Sequence, residues 1–264
     1  MEINKIWNAD CIEAMADVMD EQSVDIVLTS PPYNTARNGC DFFNDTKKRR
    51  YTTRYVDFND YRTSEEYSDW TIKVFNGFDR VLKKNGVILY NISYGVHTHE
   101  SFWNLIADIQ RNTTFTVADC IIWKKKCAVP NCASPNKLTR ICEFVFVFCR
   151  KDEYNSFTAN KKVVSLSKGT NQKNYENVMN FVEAKNNDGK NDLHKATYST
   201  ELCEKLLSIY GNEGMLIFDP FMGTGTTALA AIKLGMEYVG CEIFKQYYDM
   251  SEKRIGEALN GTDN

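Results

Sequence analysis

The 264-residue chain has no uninterrupted apolar run of about 18 residues, the length that a membrane-spanning helix needs. Its first residues, Met1-Glu2-Ile3-Asn4-Lys5, have neither a basic start nor an apolar signal core. The chain therefore reads as intracellular: cytoplasmic, or nuclear in a eukaryotic host. It has nine cysteines but no C-x2-C pair; the nearest are Cys120/Cys127, Cys127/Cys132 and Cys142/Cys149. That spacing argues against a zinc ribbon and for free thiols in a reducing compartment. Histidine is scarce, and the pair His97-x-His99 has no third ligand in view, so surface histidines are expected and no metal site. No Gly-Lys-Ser/Thr follows a glycine-rich turn, which disfavours a phosphate loop. Internal repeats and low-complexity tracts are absent.

The formal net charge of -3 is unevenly spread. Residues 124–195 hold 14 Lys/Arg against 7 Asp/Glu, which leaves 18 against 28 elsewhere. An acidic body with a basic middle suits a polyanion lying against one face. On charge alone, a solvated lysine-rich surface is the plainer reading.

Alternating strand and helix patterns favour a single α/β domain with one elaborated region. Strands are expected over 3–7, 24–29, 87–91, 117–123, 143–149, 215–218 and 238–241, with 117–123 and 143–149 as an antiparallel pair. Helices are expected over 12–19, 64–82, 102–110, 200–210, 226–234 and 245–259. Residues 34–62 are polar and irregular and carry the run Lys47, Lys48, Arg49, Arg50. A loop of that length inside a compact domain is functional or disordered. Residues 150–195 are rich in Lys, Asn and Ser, and the partner-facing part is expected there and around 124–140.

Two strand-ending motifs stand out. The apolar run Met215 to Phe218 ends in Asp219-Pro220-Phe221-Met222-Gly223-Thr224-Gly225-Thr226. A strand, a glycine-bearing turn and a helix make a place for a nucleotide-like ligand. Gly223 and Gly225 let the backbone approach it, Thr226 can cap the helix, and helix-end N–H groups can hold a carboxylate. The following strand ends at Glu242, placed to accept hydrogen bonds from both hydroxyls of a ribose. The plainer reading is a tight turn with Glu242 as a helix cap.

The run Val24 to Thr29 ends in Ser30-Pro31-Pro32-Tyr33. An exocyclic amino nitrogen is a poor nucleophile because its lone pair is delocalised into the base ring. Acceptors on both amino hydrogens draw it toward tetrahedral geometry; the Ser30 side chain and the Pro31 carbonyl can serve. The prolines fix the backbone so that the acceptors converge, and Tyr33 can stack on a base rotated out of the duplex. Direct transfer of a methyl group from sulfonium to nitrogen needs no covalent intermediate. Attack on a ring carbon would require a cysteine nucleophile, of the kind carried by a Pro-Cys motif, and no Pro-Cys occurs. The plainer reading of this motif is a strand-ending turn with a core tyrosine.

Together, in this order, the motifs resemble the beta arrangement of the S-adenosylmethionine-dependent DNA amino-methyltransferases of restriction–modification systems, the N4-cytosine/N6-adenine DNA methylase family. The resemblance spans nearly the whole chain. It implies a Rossmann-like methyltransferase fold in circularly permuted motif order: a mainly parallel seven-stranded sheet with one antiparallel strand. It assigns residues 1–123 to the catalytic half, 124–195 to a target-recognition region inserted in the same domain, and 196–264 to the cofactor half. It implies that Asn8-Ala9-Asp10-Cys11 contributes Asp10 and Cys11 to S-adenosylmethionine, with Asp10 on the adenine amino group. Asp219, Phe221, Gly223, Gly225, Thr226 and Glu242 would join them at the cofactor. Ile122-Trp123-Lys124 matches a strand motif behind the target base. His194 to Ser199 matches the motif that leads into the next helix, without the proline often found after its histidine. The expected DNA contacts are Lys47, Lys48, Arg49, Arg50, Lys124, Lys125, Lys126 and Arg140, on double-stranded DNA at a specific site. Family members are often dimers, which extends here to a homodimer.

Family members that act on adenine N6 mostly carry Asp or Asn where Ser30 stands, and those that act on cytosine N4 mostly carry Ser. Ser30 therefore favours cytosine N4. An RNA amino-methyltransferase and a non-catalytic, methyltransferase-like binding subunit are the alternatives. A protein-glutamine methyltransferase would carry the two motifs in the opposite order.

Overall fold

The computed structural model describes residues 1–34, 62–94, 99–127, 138–189 and 198–261. In chain order the described residues form β1 (Lys5–Trp7), α1 (Cys11–Asp17), β2 (Val24–Thr29), α2 (Ser64–Val81), β3 (Leu82–Ile92), α3 (His99–Asn112), β4 (Phe115–Lys125) and β5 (Cys142–Arg150). There follow β6 (Val163–Leu166), β7 (Lys173–Tyr175), β8 (Phe181–Ala184), α4 (Thr200–Tyr210), β9 (Leu216–Asp219), α5 (Thr226–Lys233), β10 (Glu237–Cys241) and α6 (Lys245–Gly261).

The main sheet has eight strands in the order β1-β10-β9-β2-β3-β5-β4-β8, and only β5 runs against its neighbours. The single antiparallel strand and its pairing with β4 match the expectation; the count exceeds it by one. The extra strand is β8, which adds parallel to β4 with Ile122 opposite Phe181. Four residues between polar flanks carry too little pattern to be read from sequence.

The apolar runs are continuous because both faces of the central strands are covered. Along β2, Val24 and Val27 face one side with Met15, Phe75, Phe78 and Ile109 of α1, α2 and α3. Ile26 and Leu28 face the other side with Leu202, Leu206, Ala228 and Ala231 of α4 and α5. A capping box fixes the start of α2: Thr63 accepts from Glu66 N–H at 3.2 Å, and Glu66 accepts from Thr63 N–H at 2.8 Å. The turn-like segment Lys84-Asn85-Gly86 does not delay β3 to the expected residue 87. It lies inside β3, with Asn85 at φ 62° and a register irregularity opposite Val24/Ile26.

The parallel strands β1, β10, β9, β2 and β3 bring their C-terminal ends to one edge of the sheet. A ligand site in an open α/β sheet belongs at such an edge. Because β5 is reversed, it starts at this edge and leaves at the opposite one. There Arg150 donates to the carbonyls of Asp79, Lys83 and Leu82, and Asn160 donates to those of Ile209 and Gly211. The two-stranded β6–β7 hairpin, exposed along both strands, grows from that far edge. Part of the region expected to meet a partner is thus rooted away from the edge that carries both motifs. No helix among the described residues is long and apolar enough to cross a membrane.

Candidate active site

The two motifs follow β9 and β2, which are neighbours: Ile26 pairs with Ile217 and Val27 with Phe218. A buried carboxylate ties their ends together. Asp219, 1% exposed, accepts hydrogen bonds from Thr29 Oγ1 at 2.7 Å and Phe221 N–H at 3.0 Å on one oxygen. The other oxygen accepts from Tyr198 OH at 3.0 Å and Thr227 Oγ1 at 2.5 Å. Burial pushes its carboxyl above the ordinary aspartate range, against the pull of these donors. Asp219 was expected among the cofactor ligands. With four protein donors on two oxygens it lies beneath the loop instead, as its organiser.

The loop turns through Gly223 at φ 55° and Gly225 at φ 84°. Gly225 is itself the N-cap of α5 and makes no side-chain cap bond, so Thr226 is the first helical residue rather than the cap. A Cβ on Gly225 would also press on Ser251 of α6 at 3.1 Å. From α6, Arg254 donates to the Thr224 carbonyl at 2.6 Å and to Thr224 Oγ1 at 2.9 Å, pinning the loop from outside.

A cleft of about 920 Å³, counted to its open mouth, lies along this edge. Asp10, Cys11, Ser30, Pro32, Phe221, Gly223, Thr226 and Glu242 all line it, so eight of the twelve expected catalytic and cofactor residues meet in one space. At one end, Glu242 accepts from Gly223 N–H at 2.9 Å and Phe244 N–H at 2.8 Å, one on each oxygen. Each oxygen keeps room for a further donor, which fits the paired hydroxyls of a ribose. Burial raises the Glu242 carboxyl to about 7. Asp10 caps α1 with Oδ1, which accepts from Ile12 N–H at 2.8 Å; Oδ2 has no protein donor among the described residues. Phe221, Ile243 and Phe244 add apolar walls. An acceptor pair for a ribose, a second carboxylate and apolar walls for a base fit an adenosine-bearing cofactor.

At the other end stands the Ser30 motif. Pro31 is buried, and the Pro32 carbonyl accepts from Tyr67 OH at 2.5 Å, so the turn is braced from α2. Ser30 Oγ donates to Tyr33 OH at 3.1 Å. Tyr33 OH in turn meets Asn91 Oδ1 and Glu143 Oε2, each at 3.0 Å. Asn91 donates to the Phe144 carbonyl at 3.0 Å, and Glu143 pairs through its other oxygen with Lys125.

The expected DNA contacts divide. Lys124, Lys125 and Lys126 are ion-paired with Glu183, Glu143 and Glu201 respectively. Arg140 stacks over the Tyr94 ring at 4.5 Å and donates to the Tyr94 carbonyl. Lys47, Lys48, Arg49 and Arg50 lie outside the described residues, as do His97 and His194. Sequence reasoning gave Tyr198 no role of its own within its motif and missed Asn91, Glu143, Arg254 and also Arg62, whose guanidinium lies 4.6 Å over the Trp70 ring at the cleft. The only signal for Asn91 and Glu143 was a polar residue at the end of an apolar run.

The family model described as DNA methylase, of the N6/N4 type, matches residues 24–253. The chain belongs to this DNA methylase family. It is accordingly a DNA amino-methyltransferase, and the family's methyl donor is S-adenosylmethionine. The Type II methyltransferase M.BglII of Bacillus subtilis is 28% identical over 270 residues, covering 94% of this chain and 68% of that methylase. Among solved structures, the cytosine-N4-specific PvuII DNA methyltransferase superposes with a TM-score of 0.69 at 14% identity, over 98% of this chain and 94% of that one. The M1.HpyAVI complex with its cofactor gives 0.62 at 21% identity, over 95% and 98%. The last two likenesses concern the fold.

Proposed function

We propose that this DNA methylase modifies the exocyclic amino group of a base flipped out of double-stranded DNA at a specific site, with cytosine N4 as the target. The observation that carries the reading is the position of Ser30. It stands at the lip of the cleft that Glu242 and the glycine loop also line. When bound, S-adenosylmethionine supplies a methyl group made electrophilic by its sulfonium.

The chain's own residues do the rest. Glu242 would hold the ribose, Asp10 would accept from the adenine amino group, and the N–H groups at the start of α5 would hold the carboxylate. Ser30 Oγ and the Pro31 carbonyl accept from the target amino group, aiming its nitrogen along one line. Pro31 and Pro32 keep those acceptors from turning away, and the Tyr33 ring replaces the stacking that the base loses. Residue type at position 30 supports cytosine: Ser rather than Asp or Asn.

The parts of 124–195 that serve target recognition are, in this reading, those at the clamp edge: the C-terminal ends of β4 and β8. Lys124, Lys125 and Lys126 would exchange or share their carboxylate partners with phosphates there. The Lys47–Arg50 run would add phosphate contacts, seen as a steeper salt dependence of binding. Work on the host's DNA would put the protein in the cytoplasm, or in the nucleus of a eukaryotic host.

Nucleoside mass spectrometry of DNA incubated with the protein and S-adenosylmethionine tests the reading. N4-methylcytosine is expected. N6-methyladenine would keep the chemistry and overturn the base. A mark on RNA alone, or cofactor binding without any product, would replace the reading by an RNA enzyme or a non-catalytic subunit.

A further inference from the structure

The amino-group clamp does not end at Ser30. Its hydroxyl donates to Tyr33 OH at 3.1 Å, and Tyr33 OH reaches Glu143 Oε2 at 3.0 Å. The donors point one way, from the cleft toward the carboxylate. Glu143 is the second residue of β5, directly opposite Trp123 of β4, and its side chain is only 15% exposed. Its second oxygen is held by Lys125, whose ammonium also lies 4.9 Å over the Trp123 ring. A carboxylate so placed is costly to bury unless it has work or a partner. Lys125 accounts for one oxygen, and the tyrosine on the other connects it to the cleft.

We propose that Ser30 Oγ, Tyr33 OH and Glu143 form a relay that takes up the proton released when the target amino group is methylated. The proposal rests on the amino-methylation reading above. In that step a nitrogen–carbon bond forms as the carbon–sulfur bond breaks. The sulfonium becomes a neutral thioether, and the nitrogen carries the positive charge until it sheds one proton. Ser30 Oγ accepts that proton while its own passes to Tyr33 OH, and the tyrosine's passes to Glu143 Oε2. Glu143 ends protonated and returns the proton to solvent after turnover. No oxidant, reductant or further reactant is needed. Asn91 Oδ1, at 3.0 Å from the same tyrosine hydroxyl, is the resting alternative acceptor. An amide carbonyl cannot retain a proton at neutral pH, so Asn91 orients Tyr33 and Glu143 terminates the path. Glu143 acts through Tyr33 and is a positioning residue with a proton-accepting task.

The test is single-turnover methylation of double-stranded DNA, measured in light and heavy water. Wild-type protein should show a solvent isotope effect whose dependence on the deuterium fraction is curved, because more than one proton moves. Glu143→Gln keeps the shape and removes the charge. At saturating DNA it should slow the step about 10- to 100-fold, the range of one proton-transfer contribution, with the dissociation constant for S-adenosylmethionine within about twofold of wild type. Tyr33→Phe should do the same, and the double variant should be no slower than the slower single one, since both cut one path. Glu143→Asp should recover part of the rate. A linear or absent isotope effect in the wild type, a full rate in Glu143→Gln, or additive losses in the double variant would overturn the relay while leaving amino methylation intact. Wild-type protein that forms no amino-methylated base would overturn the proposed function and the relay with it.

Discussion

The ends of β9 and β2 are built from the same kind of strand and finished in opposite ways. Both strands are short, apolar and buried on two faces, and they pair directly through Ile26 and Ile217. The β9 end is closed inward. Asp219 gathers Thr29, Phe221, Tyr198 and Thr227 beneath the loop, and Arg254 holds Thr224 from outside. The β2 end is left half-open: Ser30 is only partly buried, and its polar chain runs sideways through Tyr33 to Asn91 and Glu143. A loop that must present fixed acceptors to a cofactor gains from a saturated network. A clamp that must admit and release a base cannot be saturated by its own protein. The Asp219–Thr29 bond makes the two ends one unit.

The largest effect should come from cutting that link. Asp219→Ala strands several buried donors, each worth roughly 1–3 kcal/mol when unpaired. It should lower the thermal midpoint and abolish cofactor binding and methylation together. Calorimetry of unfolding with cofactor titration checks this. Loss of cofactor binding with full stability would return Asp219 to the role of a direct ligand.

Glu242→Gln sharpens the same comparison from the cofactor side. It keeps the Gly223 and Phe244 contacts partly in place but removes a charged acceptor pair, so the cofactor should bind about 10- to 100-fold more weakly. The rate at saturating cofactor should change little. Titration calorimetry against single-turnover rate separates the two quantities.

The pH dependence is a smaller and continuous effect. Burial raises the Glu242 carboxyl to about 7, which favours its neutral form in the free protein. This group therefore helps stability at low pH, and its contribution is lost as pH rises through about 7. Ribose hydroxyls donate to the charged form, so cofactor binding should release a proton near pH 6.5. Affinity should fall by up to about tenfold per pH unit below 7. Calorimetry in buffers of different ionisation enthalpy measures the released proton, and Glu242→Gln should abolish it.

The smallest effect should lie at the far edge of the sheet. Lys168→Glu and Lys173→Glu, in and beside the β6–β7 hairpin, should change DNA affinity by less than about 0.5 kcal/mol. A large loss in a filter-binding or anisotropy assay would bring the hairpin into the DNA interface.

Most of the sheet was legible because its strands are buried on both faces and read as apolar β-branched runs. The clamp and the glycine loop were legible because each stands at the end of such a run. Elsewhere the pattern was too thin. The hairpin and β8 are short, and the exposed faces of β6 and β7 impose no apolar alternation. Asn91 and Glu143 look like ordinary strand ends, and only the pairing of β3, β5 and β4 brings them to Tyr33. Arg254 is one cation on an amphipathic helix until α6 packs beside the loop. Asp219 was found with its motif, but its four contacts beneath the loop were not legible, because sequence does not reveal which way a carboxylate faces.

Ser30→Ala tests the central claim most directly: one strand end holds the cofactor and its neighbour holds the amino group. The measurement is the S-adenosylmethionine dissociation constant and the single-turnover methylation rate in the same variant. The account predicts a dissociation constant within about twofold of wild type and a rate lowered about 10²- to 10³-fold, as for loss of one preorganised hydrogen-bonding group at a reacting centre. A wild-type rate, or a fall explained wholly by weaker cofactor binding, would contradict it.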